Sequence, residues 1–415
     1  MKKSLKFLCL ALTILMVLPL AFGCFGKGEN EETDAETSGE AAAVFTVNGV
    51  ALTDYTIVYS GKTGSGGEKA AAYLNGKLQE LYGIALTMEP RSQADRYEIL
   101  LGLDGGEATI IAANKENAEG LIAASGKKVA VMGPNYEVLH QGIDALLAKA
   151  TQTELTVSGN EFLNAKSFSL KVMTYNVCST SDGRVSDYKA RMVATILENN
   201  VDVLGTQEDS ADNSAFFLEE IENYDLYKGE FEGNGSYIYW RKDKFNVVKK
   251  SYLFLSDTPV TPSKLSGASG NITMSYVVLE DKETAGKFLV VNAQADEKAN
   301  DKVRGQQMKI VAEQLAKINK DNLPVVILGD FDTSATELLA QNKSFALASK
   351  VADSKGDSKG TLVNDFAERD KKTVHDYIIV NTDRICTEYY TVVDNATDGT
   401  YPSDHLPVLA KVKLY

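Results

Sequence analysis

The sequence predicts a protein of mixed α-helices and β-strands that folds as two segments behind an N-terminal leader. Apolar runs rich in Val, Ile, Leu or Tyr are too short to be helices, and they alternate with segments whose apolar residues recur at helical spacing. The chain has 415 residues, of which 44% are hydrophobic and 24% are charged. It can therefore bury an ordinary core, and it is long enough for two domains.

The leader, residues 1–23, has the order of an export signal. Three lysines within the first six residues precede an apolar stretch from Phe7 to Leu20, and small residues follow it. The sequence AFGC at 21–24 resembles a bacterial lipobox, in which Cys24 would be lipidated. We expect an extracytoplasmic lipoprotein of the cell membrane.

Two alternatives to lipidation stay open. The usual Leu of a lipobox appears one place early, as Leu20, so plain cleavage after Gly23 would give a secreted protein. An uncleaved membrane anchor is the third reading, although the apolar stretch is short for a bilayer span. Residues 24–43 are acidic and nearly free of large apolar side chains, and we expect them to form a solvated linker.

The net charge of -14 bears on the class of partner. Binding to a nucleic-acid backbone needs clustered Lys and Arg, which the sequence lacks, so nucleic acid is possible as a partner but not favoured. A divalent metal could supply positive charge locally.

Cysteine usage predicts no disulfide framework. Cys9 and Cys24 lie in the leader and the lipobox, which leaves Cys178 and Cys386. These two could pair or could be separate small buried side chains, and we adopt the second interpretation.

The first folded segment, residues 44–165, predicts a small α/β domain. The strand DYTIVYS is followed by the Gly-rich GKTGSGG and by a helix with Ala71, Leu74, Leu78 and Leu81 on one face. The strands IALTMEP, YEILLG and GKKVAVMGP come next, and YEVLHQGIDALLAKA forms a closing helix in which we expect His140 to be packed or half-exposed. The Gly-rich run lacks the spacing of a phosphate loop, so we interpret it as a flexible connection.

This first segment resembles the small N-terminal domains attached to secreted carbohydrate-active bacterial enzymes. The motifs that carry the resemblance are NGVALTDYTIVYS, EKAAAYLNGKLQELYGIALT, YEILLG and KKVAVMG. The resemblance implies an accessory domain, with glycan contact as a speculative role, and it transfers no catalytic residue.

The second folded segment, residues 167–415, places polar side chains at the ends of its strands. Its helices include SDYKARMVATILENN, with Ala190, Val193, Ile196 and Leu197 toward a core, and VRGQQMKIVAEQLAKI. The residues at strand ends are Asn176, Glu208, Asp330, Asp376, Asp404 and His405. Carboxylates that converge from separate strands suit a hard cation such as Mg²⁺, which takes oxygen ligands.

Each of these side chains has a chemical interpretation. Glu208 offers a hard carboxylate at the end of an apolar strand, so it is the first metal ligand we would choose. Asn176 can donate and accept, which suits orienting a carboxylate or a phosphoryl oxygen, and its alternative role is a turn Asn. Asp404 and His405 are adjacent, so both could serve one site only at a bend or a strand end.

The second segment is also similar to the endonuclease/exonuclease/phosphatase superfamily over nearly all of residues 168–415. The motifs that carry this resemblance, in order, are MTYNV, GTQE, YIYWRKDKF, FLSDTP, VVNAQAD, VILGDFD, HDYIIV and SDHLPV. It implies an α+β fold, a DNase-like four-layer α/β/β/α sandwich, and hydrolysis dependent on Mg²⁺ or Mn²⁺.

The same resemblance implies a division of roles. Glu208 holds the metal, with Asp404 toward the metal or the water, and Asp330 orients or deprotonates the attacking water. His405 faces the phosphate, and Asp376 fixes its imidazole. A cationic His stabilises the charge that grows on phosphorus.

Two positions depart from the family pattern. Gln294 stands where the family commonly has a His, and an amide cannot act as a general acid. Asp332 stands where the family usually has an Asn, and a carboxylate there repels phosphate unless it is protonated or binds metal. We keep Gln294 and Asp332 as substrate-binding candidates, together with Arg241 at a strand end, and we treat His375 as structural.

These observations predict an exported, lipid-anchored, metal-dependent phosphoesterase that hydrolyses a phosphate ester by direct attack of water. The alternative is a degenerate phosphoesterase-fold binding protein at the cell surface with little catalytic activity, which Gln294 and Asp332 favour. A carbohydrate enzyme ranks last, because only the first segment's resemblance supports it.

Overall fold

The computed structural model describes residues 44–62, 64–102, 119–163, 166–178, 184–229 and 235–415. The predicted export signal, the acidic linker and the lipidation site at Cys24 lie outside the described residues. Within those ranges, no helix is long and apolar enough to cross a membrane.

The described part of the N-terminal segment carries a six-stranded sheet with two helices packed on it. Its strands are β1 (Thr46–Val47), β2 (Val50–Ala51), β3 (Thr56–Tyr59), β4 (Met88–Glu89), β5 (Glu98–Leu101), β6 (Gly120–Ser125), β7 (Lys128–Met132), β8 (Glu154–Leu155) and β9 (Asn160–Leu163). Its helices are α1 (Gly67–Tyr82) and α2 (Tyr136–Leu147). The strand order is β4-β3-β5-β7-β6-β9, parallel from β4 to β7, and β2-β1-β8 form a small second sheet.

The Gly-rich run before α1 serves close packing rather than flexibility. Gly66 has a positive φ of 66°, and a Cβ there would lie 2.5 Å from Cβ of Tyr136. A Cβ on Gly67 would lie 2.5 Å from the carbonyl oxygen of Ser60. Only glycine lets α1 begin this close to its neighbours, which corrects the interpretation of the run as a flexible connection.

Two details of the predicted helices can be compared with the structure. His140 is half-exposed, as predicted, and its ring lies 4.3 Å from that of Tyr73. Leu81 and Leu197 were expected on buried faces, but their exposed fractions are 53% and 49%. Both lie in the last turn of their helices, where the chain leaves the core.

Two mixed sheets form the centre of the C-terminal segment. The strands are β10 (Phe168–Asn176), β11 (Val203–Gln207), β12 (Tyr224–Tyr227), β13 (Tyr237–Arg241), β14 (Phe245–Phe254), β15 (Thr273–Asp281), β16 (Lys287–Gln294), β17 (Val325–Asp330), β18 (Phe345–Leu347), β19 (Ser354–Lys355), β20 (Leu362–Asn364), β21 (Glu368–Asp370), β22 (Asp376–Asn381), β23 (Ile385–Val392) and β24 (Val408–Leu414). One sheet has the order β12-β13-β11-β10-β24-β23-β19, and the other has β14-β15-β16-β17-β22-β18.

Helices cover the outer face of each sheet. They are α3 (Tyr188–Glu198), α4 (Ala211–Glu220), α5 (Asp301–Ile318) and α6 (Ala335–Gln341). A short helix, α7 (Ala348–Val351), packs instead against the core between the sheets. On β17, Val326 and Leu328 point into the core between the sheets, whereas Val325 and Ile327 pack with α5 and α6. The alternation follows from the two-residue period of a strand. The fold is thus the predicted α+β four-layer sandwich.

A buried polar layer joins the two sheets just below the strand ends. Asn292 of β16 donates from Nδ2 to the carbonyl oxygens of Thr206 (2.6 Å) and Tyr237 (2.7 Å), and it accepts from Nε2 of Gln207 (2.6 Å). A Cβ on Gly205 would lie 2.9 Å from Cβ of Leu328, so this glycine lets the sheets approach. The layer therefore fixes the distance between the sheets near the site.

The N-terminal sheet contacts the last strands of the C-terminal segment. Lys413 Nζ lies 2.5 Å from Oε1 of Glu119, and the Tyr415 hydroxyl donates to Oε2 of the same carboxylate over 2.8 Å. Residues 44–415 form one compact unit. The division into domains at 44–165 and 167–415 stays a prediction. Cys178 is buried and Cys386 is half-buried, and the two form no disulfide with each other.

Candidate active site

The topology brings the polar strand ends to one edge of the sandwich. β10 and β11 run parallel and end at Asn176 and Gln207, directly before Glu208. In the other sheet β17 ends at Asp330, opposite the first residue of the antiparallel β22, Asp376. His405 precedes β24, which runs antiparallel to β10. Side chains from both sheets meet here because these strands end or begin at the same edge.

Asn176 connects the carboxylates of the two sheets. Its fully buried amide donates from Nδ2 to Oε1 of Glu208 and to Oδ2 of Asp330, each over 3.0 Å. Its Oδ1 accepts from the backbone N–H of Cys178 over 2.9 Å, which sets the orientation of the amide. Asn176 therefore contacts two acids of the site, and its Oδ1 also makes the turn contact of the alternative interpretation.

His405 and Asp376 form a buried pair facing Asp330. The distance from Nδ1 of His405 to Oδ2 of Asp376 is 2.8 Å, and Nε2 lies 4.0 Å from Oδ2 of Asp330. Burial lowers the pKa of His405, but the carboxylates of Asp376, Asp330 and Asp404 outweigh it and raise that pKa to about 10. The imidazole is therefore a cation at neutral pH, held by Asp376 with Nε2 toward the site.

The pKa of Asp330 is raised as well, but for a different main reason. Burial, with the negative charge of Asp376, raises the pKa of its carboxyl above the ordinary value, while His405 and the amide of Asn176 oppose the rise. A carboxylate whose pKa is raised is a better proton acceptor. This suits a group that orients and deprotonates water.

The turn after β11 is strained and well supported. Glu208 has a φ of 53°, in the left-handed region that is uncommon for residues other than glycine. A Cβ on Gly235 would lie 3.1 Å from Cα of Glu208, so the facing chain passes very close. Asp209 accepts hydrogen bonds from the hydroxyls of Thr206 and Tyr239, both 2.7 Å long. These contacts point Glu208 into the site.

Asp404 lies beside the pair with its backbone fixed. Its carbonyl accepts from the N–H of Val363 in β20 over 2.7 Å, and its Oδ1 lies 3.4 Å from Oγ of Ser403. Ser403 in turn donates to the carbonyl of Asn176 over 2.7 Å. The half-buried carboxylate is placed at the site, and its role as a metal ligand stays a prediction.

The two departures from the family pattern also lie at this edge. Gln294 ends β16 beside Asp330 and donates from Nε2 to Oε1 of Glu208 over 3.1 Å. Asp332 follows Asp330 by two residues, and its N–H lies 3.4 Å from Oδ1 of Asp330. Both residues therefore contact a predicted catalytic or metal-binding carboxylate.

The structure corrects the interpretation of His375 and Arg241. The ring of His375, treated as structural, turns toward the site, with Nε2 3.2 Å from Oδ1 of Asp332. Arg241 is not brought to the site. Its strand β13 is antiparallel to β11, which places Arg241 at the far end, where it binds Asp243 over 2.6 Å.

A cleft of about 380 Å³ opens beside Glu208 and Gln294. Its walls include Ser236, Asn271, Thr273 and Glu297. Hydroxyl, amide and carboxylate groups stand among apolar surface in these walls, so the cleft can hydrogen-bond to a ligand that carries hydroxyls.

The donor set fits a divalent metal. Oxygen atoms of Asp330 and Asp376 and a ring nitrogen of His405 all lie within 4.8 Å of one another, a spacing that could hold an ion. However, His405 and Asp376 are already paired with each other, so we favour the half-buried Glu208 as the principal ligand, with Asp404 as the second. Carboxylate oxygens held by the amides of Asn176 and Gln294 match a hard cation.

Solved structures with the same fold are known from two Bacteroides species. An endonuclease/exonuclease/phosphatase family protein from Bacteroides thetaiotaomicron is 25% identical, with a TM-score of 0.54 over 60% of this chain and 100% of that one. A mannosyl-6-phosphatase from the same species is 26% identical, with a TM-score of 0.52 over 59% and 99%. A Bacteroides vulgatus protein shares the fold, with 21% identity and a TM-score of 0.54 over 60% of this chain and 100% of that one. No curated protein matches this chain.

The family model described as "Endonuclease/Exonuclease/phosphatase family" matches residues 173–405. The matched region covers more than half of the chain and contains every strand end described above. Proteins of this family are phosphoesterase and nuclease hydrolases, and they typically depend on a divalent metal. The chain therefore belongs to the endonuclease/exonuclease/phosphatase family.

Proposed function

We propose that this protein is a metal-dependent phosphoesterase that hydrolyses a small phosphate ester by direct attack of water. The observation that carries the proposal is the position of Asn176, whose amide joins Glu208 to Asp330 opposite the His405–Asp376 pair. Binding, water activation and charge stabilisation can then occur at one edge of the sandwich.

Glu208 and Asp404 would hold the metal, Mg²⁺ or Mn²⁺. When bound, it supplies a Lewis acid for a phosphoryl oxygen. Asp330 accepts a hydrogen bond from the attacking water and takes its proton as the oxygen bonds to phosphorus. The cationic His405 donates from Nε2 toward the phosphoryl oxygens, where negative charge grows. The ester bond then breaks without a covalent enzyme intermediate.

The leaving oxygen takes its proton from solvent rather than from Gln294. An amide has no acidic proton to give. General acid catalysis is typically worth about 10²–10⁴ in rate. We therefore expect turnover to depend strongly on the leaving group, and an ester of a good leaving group to be hydrolysed best.

A sugar phosphate is the substrate class we favour. The mannosyl-6-phosphatase is among the similar structures, at 26% identity. The cleft beside Gln294 is lined by groups that can hydrogen-bond to sugar hydroxyls, and its acidic residues Glu208, Asp296 and Glu297 disfavour a polyanionic strand.

Assays of the purified protein against phosphate esters test this proposal. Hexose 6-phosphates, p-nitrophenyl phosphate and bis-p-nitrophenyl phosphate are compared with Mg²⁺, Mn²⁺ or EDTA, and Asp330→Ala serves as the inactive variant. We expect metal-dependent release of phosphate from the monoesters that EDTA and Asp330→Ala abolish. Unchanged turnover by Asp330→Ala would refute the role of this residue.

The alternative is a binding protein with little catalytic activity. Gln294 and Asp332 favour it, since both replace side chains that the family pattern uses around the phosphate. The same preparation distinguishes the two functions. Calorimetric binding of metal and sugar phosphate with no turnover above the Asp330→Ala background would support the binding protein.

The proposal includes export and a lipid anchor at Cys24, which rest on the leader sequence alone. We expect the protein to partition into the detergent phase of a Triton X-114 extract of cells. Cys24→Ser should move it to the aqueous phase or the medium. A Cys24→Ser protein that stays in the detergent phase would instead indicate an uncleaved anchor.

A further inference from the structure

Asp332 has a basic side chain close to each of its carboxylate oxygens. Oδ2 lies 3.1 Å from Nε of Arg304 on α5, a charge contact in which Nε makes no hydrogen bond within the described residues, and Oδ1 lies 3.2 Å from Nε2 of His375. The exposed fractions of the Arg304 and Asp332 side chains are only 13% and 21%, so water screens this ion pair weakly. The charge that Asp332 introduces in place of the family's Asn is compensated within the protein.

Arg304 carries most of that compensation. Burial holds the pKa of His375 below its ordinary value, so at neutral pH its imidazole contributes a neutral hydrogen-bonding group. A guanidinium keeps its charge at any ordinary pH. Asp332 is thus paired mainly with one fixed cation.

Arg304 also reaches the wall of the cleft. Its Nη1 donates to the carbonyl oxygens of Ala299 (2.6 Å) and Glu297 (3.3 Å), and its Nη2 contacts the exposed Asp301. Glu297 lines the cleft beside Gln294. One guanidinium therefore spans from Asp332 to the segment 297–299.

Asp332 is at the same time tied to Asp330. Its N–H points to Oδ1 of Asp330 over 3.4 Å, and its φ of 49° lies in the left-handed region. Asp and Asn adopt this conformation more readily than most residues, so the turn tolerates either one. What changes with Asp is the partner that its side chain can bind.

We propose that Asp332, Arg304 and His375 form a positioning cluster that couples Asp330 to the 297–299 wall of the cleft. In this arrangement Asp332 is a partner of Arg304 and not a ligand of a second metal. The inference rests on the proposed function, because it assigns these residues to the positioning of Asp330 and of the leaving-group side.

The contact between Asp332 and Arg304 predicts how the effects of their substitutions combine. Asp332→Asn leaves Nε of Arg304 without a facing carboxylate, although Nη2 keeps its contact with Asp301. Arg304→Gln leaves the Asp332 carboxylate without its cation. Either change loosens the same contact, so the double variant loses little more than one single variant does. Independent residues would instead give losses that multiply.

The test is a double-mutant cycle in the full-length protein. Asp332→Asn, Arg304→Gln and the double variant are compared for kcat and KM on p-nitrophenyl phosphate, for Tm, and for Mn²⁺ stoichiometry by calorimetry. We expect each single variant to lose about tenfold in kcat, the scale for removing a supporting partner, and the double variant to lose about tenfold rather than a hundredfold. Mn²⁺ stoichiometry should stay that of the native protein.

Arg384→Gln is the matched control. Arg384 also binds two carbonyl oxygens, those of Tyr415 and Asn322, and one carboxylate, that of Glu137. It precedes β23, whose first residue pairs with the last of β24, at the end away from His405. If Arg304 had only a structural role, Arg304→Gln would behave like this control. Its Tm would fall, and its kcat would stay within about twofold of the native value.

Several outcomes would overturn the proposal. They are a rise in kcat on Asp332→Asn, losses that multiply in the double variant, or a lost Mn²⁺ equivalent on Asp332→Asn. If the native protein has no turnover, the proposed function fails, and the cluster is judged by the Tm cycle alone. Shifts in Tm that do not add would support the contact, and additive shifts would refute it.

Discussion

Gln294 donates a hydrogen bond from its side-chain Nε2 to Oε1 of Glu208 over 3.1 Å. The position where the family commonly carries an imidazole thus holds an amide that contacts a candidate metal ligand. A donor on a ligating carboxylate fixes its orientation, and such supporting contacts matter about as much as the ligands themselves. Gln294 is therefore better understood as a partner of Glu208 than as a failed general acid.

This relationship predicts a metal phenotype for Gln294→Ala. Oε1 of Glu208 accepts hydrogen bonds from the amides of Asn176 and Gln294. Without the Gln294 amide it keeps the one from Asn176, and the carboxylate is held less firmly. We expect the Mg²⁺ concentration for half-maximal activity to rise about tenfold, with a parallel loss of affinity in calorimetry. Gln341→Ala, an exposed Gln on α6, should leave both values unchanged. A fall in kcat with unaltered metal affinity would place Gln294 on the substrate instead.

A second prediction concerns the pair formed by His405 and Asp376. Asp376→Asn keeps the shape of the residue but removes the charge that holds the imidazole, whose Nδ1 lies 2.8 Å from Oδ2. We expect kcat on p-nitrophenyl phosphate to fall by about 10²-fold, the scale for losing one preorganised stabilising group. KM should change little, since the loss falls mainly on the transition state.

The control for this pair is Asp365→Asn on the exposed turn between β20 and β21. This variant makes the same chemical change at a position away from His405. If Asp376→Asn kept native kcat while His405→Ala abolished it, Asp376 would be dispensable for orienting the imidazole.

The sequence predicted the strands and their polar ends because both are local features. An apolar run that stops at a polar side chain can be recognised from the sequence alone, and this pattern identifies Asn176, Glu208 and Asp330. The contact from Arg304 to Asp332 is different, since it joins the first turn of a helix to a turn two elements later. No local pattern signals such a pairing.

Arg241 illustrates the same limit. Its strand has the expected apolar pattern, but only the pairing of β13 with β11 decides which end faces the site. Asn292 was missed for a related reason, because an Asn within an apolar run gives no indication of its partners. A polar residue at an inward strand position does carry a signal, since burial requires a partner for it.

A third prediction concerns this buried Asn292. Asn292→Ala removes two donors to backbone carbonyls and the acceptor for Gln207. Leaving those buried groups unsatisfied should lower the free energy of unfolding by about 3 kcal/mol, measured by urea denaturation. Thr387→Val is the matched control, because its buried hydroxyl has no hydrogen-bond partner within the described part of the chain. That variant should be neutral or slightly stabilising, and equal losses for both would contradict the argument.

The last prediction concerns Glu98 in the N-terminal sheet. Its fully buried carboxylate lies 2.9 Å from Nζ of Lys128 and accepts from Ser92, Gln93 and Arg96. Burial alone would raise the pKa of Glu98, but these donors outweigh it and lower the pKa below the ordinary 4.5. A lowered pKa means that the unfolded chain binds the proton more tightly. The stabilisation from Glu98 is therefore present above pH 4.5 and is lost as the pH falls through the folded-state pKa.

Glu98→Gln should reveal this pH dependence. At pH 7 it leaves the buried Lys128 ammonium with the carbonyl oxygens of Gln93 and Arg96 but without a carboxylate, and we expect the free energy of unfolding to fall by about 3 kcal/mol. The gap between the native protein and the variant should narrow as the pH is lowered through the acid range, because the native carboxylate becomes protonated. Urea denaturation followed by circular dichroism measures the free energy of unfolding of the native protein and of the variant at each pH.

Glu80→Gln is the control, because it breaks an exposed pair with Lys77. It should lower the free energy of unfolding by less than about 1 kcal/mol at every pH. A gap that stays constant with pH would show that Glu98 acts through its shape and not through its charge.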